Sequence, residues 1–116
     1  MSEAILLISS STTTTTQELS QRRAADLLTA KKCRHSTLDG ALPESKELRD
    51  VLFGVSSLRG KYPQLFIKNE DGSYVFVGDW ERMEALAETD DLDAAVLEAN
   101  PSIETFSKIM GCTMQP

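Results

Sequence analysis

The chain has 116 residues, a length that fits one domain whose core can stand without disulfide or metal staples. Hydrophobic residues make up 41% and charged residues 26%, which excludes wholesale disorder. The net charge is −6, with fourteen acidic and seven basic side chains in residues 41–116, so a phosphate backbone is repelled and nucleic acid is not expected as a partner.

Ala4 to Ile8 is an unbroken apolar run, as in a strand buried on both faces. Residues 9–16 are only serine and threonine, a hydroxyl-rich loop whose end caps a helix. Thr15 and Glu18 have the spacing of a Thr-x-x-Glu capping box. A helix over residues 17–32 is predicted, burying Ala24, Leu27, Leu28 and the stem of Lys31. Residues 33–38 read as a second, weaker strand. Gly40 and Pro43 punctuate the chain after it, and the next helix begins at Pro43 or Glu44. Its buried stripe is Leu48, Val51, Leu52 and Val55, at i, i+3, i+4 and i+7.

After a loop over residues 56–62, Pro63 opens a strand over residues 64–68. Asn69-Glu70-Asp71-Gly72 is a tight-turn signal, and residues 73–77 form the returning strand. Asp79 suits the N-cap of a third helix with Trp80, Met83, Leu86 and Ala87 on its apolar side. The order over residues 1–88 is therefore β-α-β-α-β-β-α. A helical crossover makes the first two strands parallel, and the hairpin makes the last two antiparallel. This is an α/β, thioredoxin-like (glutaredoxin-like) order: a four-stranded mixed sheet with flanking helices.

Residues 89–116 form a tail beyond that domain. Leu92, Ala95, Val96 and Ala99 fit one short amphipathic helix. Asn100-Pro101 fits the start of another, with Ile103, Phe106, Ile109 and Met110 on one face and Gly111 as its stop.

Several chemistries find no footing. The two cysteines, Cys33 and Cys112, make no disulfide framework, which points to a reducing compartment. The N-terminus is too short in apolar residues and too acidic for a signal peptide. No run approaches the about 20 apolar residues of a membrane span. A cytoplasmic, non-membrane protein is expected. His35 is the only histidine, so with Cys33 it supplies two ligands, short of a zinc site. Asp90, Asp91 and Asp93 lack the glycine and distal glutamate of a calcium loop and read as helix caps. The basic group Arg22, Arg23, Lys31, Lys32 and Arg34 reads as a solvated helix face.

Three segments carry a family resemblance: Ile5-Leu6-Leu7-Ile8-Ser9-Ser10-Ser11, Tyr62-Pro63 before Gln64-Leu65-Phe66-Ile67, and Gly78-Asp79-Trp80-Glu81. Their order and spacing over residues 4–88 resemble the glutaredoxin-related, glutamic-acid-rich small adaptors named for binding Src-homology-3 domains. That resemblance implies a thioredoxin fold without a redox pair. The glutaredoxin Cys-x-x-Cys maps near Thr13 and Thr16, where no sulfur is available for disulfide exchange. Cys33 falls at the far end of the first helix, and Cys112 in the tail. The resemblance also implies a cis bond before Pro63, leaving the backbone of Tyr62 to pair with an extended peptide. It places Asp79 where glutaredoxins hold the γ-glutamyl end of glutathione, with Lys61 or Arg59 for the other carboxylate. The family's proline-rich stretch matches residues 59–64 here, which hold one proline where a Pro-x-x-Pro ligand needs two.

A groove between the threonine loop (Thr13, Thr14, Thr15, Thr16), Tyr62-Pro63 and Asp79 is the candidate site. The main expectation is a monomeric, redox-inactive, non-catalytic interaction or adaptor module that takes a protein or peptide partner and needs no cofactor. The alternative is a glutathione-binding protein with weak or no oxidoreductase activity. In either reading, helix N-terminal amides and hydroxyls attract an anion. A third reading gives the tail helix to a partner's groove, unless it packs on the domain itself.

Overall fold

The first strand, β1 (Glu3–Ile8), buries residues on both sides: Ala4 and Leu6 face one core layer, Ile5 and Leu7 the other. That alternation on a central strand explains its unbroken apolar run. The computed structural model describes residues 2–11 and 14–114. After β1 come α1 (Thr15–Ala30), β2 (His35–Asp39), a 3-10 turn (Pro43–Ser45) and α2 (Lys46–Ser56). Next are β3 (Gln64–Lys68), β4 (Tyr74–Asp79) and α3 (Trp80–Asp90). The chain continues with α4 (Ala94–Ala99), α5 (Phe106–Met110) and a closing 3-10 turn (Gly111–Thr113).

The four strands form one sheet in the order β2-β1-β3-β4. β1 and β2 are parallel, while β1/β3 and β3/β4 are antiparallel. The order and directions match the thioredoxin-like arrangement expected from the sequence. On one face, Ala24 and Leu28 of α1, Met83 and Leu86 of α3, and Phe106 and Met110 of α5 pack on Leu6 and Leu65. On the other, Leu52 and Phe53 of α2 cover Ile5, Leu7 and Phe66.

Local differences from the sequence reading have local causes. Thr14, not Thr15, caps α1: its hydroxyl accepts the Gln17 N–H at 3.2 Å. The helix ends two residues early because Lys32 turns left-handed at φ 56. Lys32 N–H then reaches the Thr29 carbonyl and Cys33 N–H the Leu28 carbonyl, a Schellman closure. In α2, Val51 (51% exposed) and Val55 (41%) face outward, and Phe53 takes the core place instead. The Phe53 ring meets Tyr62 edge-on at 5.9 Å, so α2 presents its Leu52–Phe53 side to the sheet. α5 stops at Met110 with Gly111 as its C-cap, as expected, although Gly111 keeps helical angles and leads into the 3-10 turn.

The tail is tied to the sheet-bearing part. Phe106 and Met110 are fully buried. Asp90 accepts from Lys31 Nζ at 2.9 Å, from Ser107 N–H at 3.1 Å and from the Ser107 hydroxyl at 2.9 Å. Arg34 N–H donates to the Thr113 carbonyl at 2.7 Å, and Cys33 pairs with Met114 as an isolated β-bridge. The second tail helix thus packs on the chain's own core, at the ends of α1 and α3.

Candidate functional site

The amino ends of α1 and α3 lie on either side of a cleft of about 440 Å³. Thr14, Thr16, Gln17, Ser20 and Arg23 line the α1 side. Lys61 and Tyr62 come from the loop before β3, and Asp79, Trp80 and Glu81 from the start of α3.

Three polar arrangements hold these walls. Ser9 and Gln21 exchange two hydrogen bonds, Ser9 N–H to Oε1 at 2.8 Å and Nε2 to the Ser9 carbonyl at 3.1 Å. Both residues are buried, and the pair fastens the end of β1 to α1. Asp39 then receives Ser10 N–H and Ala41 N–H, each at 3.0 Å. Burial pushes its carboxyl up, but these donors outweigh burial and hold it below the usual carboxylate range. Third, the Gln64 side-chain amide donates to the Leu58 and Lys61 carbonyls at 2.7 Å each, which fixes the loop carrying Lys61 and Tyr62. Gln64 Oε1 is buried without a hydrogen-bond partner among the described residues.

Asp79 works twice. Its Oδ1 accepts the Arg82 N–H at 3.0 Å, capping α3. Its Oδ2 meets Lys61 Nζ at 2.7 Å, an ion pair joining the loop to the helix. Burial raises this carboxyl, yet Lys61 and the Arg82 amide prevail and the net shift is downward. The same contact raises the Lys61 ammonium. β3–β4 pairing sets Gln64 opposite Asp79, which brings the loop beside the helix start. Gly78 is required just before it: a Cβ there would lie 2.4 Å from Cβ of Arg82.

The candidate residues of the sequence separate as follows. Thr13 lies outside the described residues. Thr14, Thr16, Tyr62 and Asp79 come together in the cleft. Thr15 turns to another face of α1, beside Glu18, Leu19 and Arg22. Pro63 follows a cis bond and is fully buried, away from the cleft lining. Between the two cation candidates, Lys61 is in the cleft. Arg59 instead pairs with Asp50 at 3.3 Å and lies over the Phe53 ring at 5.3 Å. Of the proposed caps, Asp93 accepts the Ala95 N–H, while Asp90 is engaged by Lys31 and Ser107.

Gln17, Ser20 and Arg23 were not foreseen, although their spacing of three marks one helix side running up from Thr16. Gln21 was also missed. It sits three residues before Ala24 and seven before Leu28, on the buried stripe, and a glutamine there needs a buried polar partner.

No family model matches the chain, and no curated protein matches its sequence.

Among the described residues, no cysteine lines the cleft. Cys33 is buried past the carboxyl end of α1, and Cys112 is exposed in the closing 3-10 turn. Burial pushes the Cys33 thiol up, against the neighbouring Thr113 side chain and the charge of Lys31. A thiol held protonated this way is a poor nucleophile. The cleft offers Arg23 and Lys61 as cations, Asp79 and Glu81 as anions, and the hydroxyls of Thr16 and Ser20. That set suits a ligand with charges of both signs. Its aromatic members are Trp80 and Tyr62, whose phenol burial holds above its usual value.

Proposed function

We propose that this chain is a non-catalytic, thioredoxin-like interaction module that takes an extended peptide of a protein partner in the cleft between α1 and α3. One observation carries the reading: the amino end of α1, where a thiol enzyme of this architecture keeps its sulfur, presents Thr14 and Thr16 to the cleft instead. The resemblance to the glutaredoxin-related small adaptors supports the same role. Both cysteines are free, which fits a reducing compartment, and a cytoplasmic monomer is the form we propose. Arg23 and the Lys61–Asp79 pair orient the bound segment by its charges. Trp80 and Tyr62 supply the apolar contact.

The second reading is a glutathione-binding protein. What favours it is the size of the cleft, about 440 Å³, within the range of small-ligand sites, together with Lys61 and Asp79 at its rim. Amide-shift titration separates the two. The binding-module reading predicts no shifts from glutathione at millimolar concentration. Saturable shifts confined to Thr16, Lys61, Tyr62 and Asp79 would establish glutathione as the ligand and overturn it.

A further inference from the structure

Leu92, Ala95, Val96 and Ala99 fit one side of a short amphipathic helix, and the fold leaves all four exposed. α4 buries none of its residues, and Leu92 (40%) and Val96 (42%) stay open to solvent. A helix of six residues is too short to persist on propensity alone and normally depends on tertiary packing. Side-chain hydrogen bonds hold both of its ends. Asp93 accepts the Ala95 N–H at 3.3 Å, and the Asn100 side-chain amide donates to the Val96 carbonyl at 2.9 Å. Leu97 is half-buried, while Leu92, Ala95, Val96 and Ala99 are left uncovered by the described residues.

Charge selects the occupant. Residues 83–107 contain seven acidic and no basic side chains. Asp90 and Glu104 are engaged by Lys31 and Arg82. Glu84, Glu88, Asp91 and Glu98 are exposed, with no ion-pair partner among the described residues. An apolar strip inside such a field repels a second copy of this chain, nucleic acid and anionic lipid alike. It attracts a cationic segment that carries apolar side chains of its own.

We propose that α4 and its flanks, residues 88–99, dock a basic amphipathic helix of a partner protein. Lysines and arginines of that helix meet Glu88, Asp91 and Glu98, and its leucine-type stripe covers Leu92 and Val96. This surface follows the carboxyl end of α3, whereas the cleft lies at that helix's amino end, so the module holds two separate contact sites.

The test uses the full chain, isotope-labelled, and three synthetic helical peptides: leucine/lysine, serine/lysine of equal charge, and leucine/glutamate. The leucine/lysine peptide is expected to shift amides of residues 88–99, and added salt to weaken it. The double variant Leu92→Ser/Val96→Ser is expected to lower its affinity about tenfold while leaving the amide spectrum of residues 3–86 unchanged. Both side chains are exposed, so the fold does not depend on them. Equal binding by the serine/lysine peptide would overturn the proposal, because charge alone would then account for it. So would undiminished binding by the double variant, shifts centred on the cleft, or preference for the leucine/glutamate peptide.

Discussion

Two glycines of this chain are expected to respond oppositely to the same substitution, because their surroundings differ. Gly54 lies inside α2, and a Cβ added there would have no neighbouring atom within 4 Å, so nothing requires a glycine. Gly54→Ala is expected to stabilise the protein by about 0.5–1 kcal/mol, through lower entropy of the unfolded chain. Gly78 is the contrary case, since Cβ and Cγ of Arg82 stand 2.4 Å from where its Cβ would be. Gly78→Ala must displace the first turn of α3 and is expected to cost about 1–3 kcal/mol. Urea unfolding of the two variants checks both signs.

The carboxylates supply a pH dependence at the same scale. Asp39, Asp79 and Asp90 each hold net hydrogen-bond or ion-pair donation that outweighs the opposing effect of burial, so their folded values lie below the ordinary one. In the unfolded chain each titrates near about 3.9. Between the two values the unfolded state binds more protons, and acid therefore favours unfolding. Stability is expected to be full above about pH 5 and to fall as pH drops through about 4 and on through the folded values. Asp90→Asn, which removes the charge facing Lys31, is expected to flatten that fall. The urea midpoint measured across this range reads it directly.

At the scale of elements, β1, β3 and the Asp79 cap of α3 were legible in the sequence because local pattern and tertiary role agree there. An apolar run of strand length fits a central strand, and an aspartate just before an apolar helical stripe fits an N-cap. α2 was legible as a helix but not in its rotation. The i, i+3, i+4, i+7 spacing of Leu48, Val51, Leu52 and Val55 marks a helix, but periodicity alone does not fix which side of Leu52 turns inward. The choice comes from Tyr62, distant in sequence, against which the Phe53 ring packs. Phe53→Ala is therefore expected to cost about 3–5 kcal/mol, and Val51→Ser to change stability by less than about 0.5 kcal/mol. Chemical denaturation of this pair reports which side of α2 is inside.

For the whole molecule, the sequence set residues 89–116 apart as a tail because the β-α-β-α-β-β-α order is complete by residue 88. Burial of Phe106 and Met110 depends on where the ends of α1 and α3 meet in space, which no local pattern encodes. The cleft was legible in the same uneven way. Thr14, Thr16, Tyr62 and Asp79 could be named from order and resemblance, but Arg23 enters only through the pitch of α1. Gln64, which fixes the Lys61 loop from beneath, reads in sequence as one polar residue of a strand.

The central claim is that this scaffold binds without thiol chemistry, and a dithiol reductase assay of the purified chain beside Cys33→Ser and Cys112→Ser measures it most directly. No turnover above the uncatalysed rate is expected in any of the three. Turnover by the natural chain that disappears in either variant would contradict the claim.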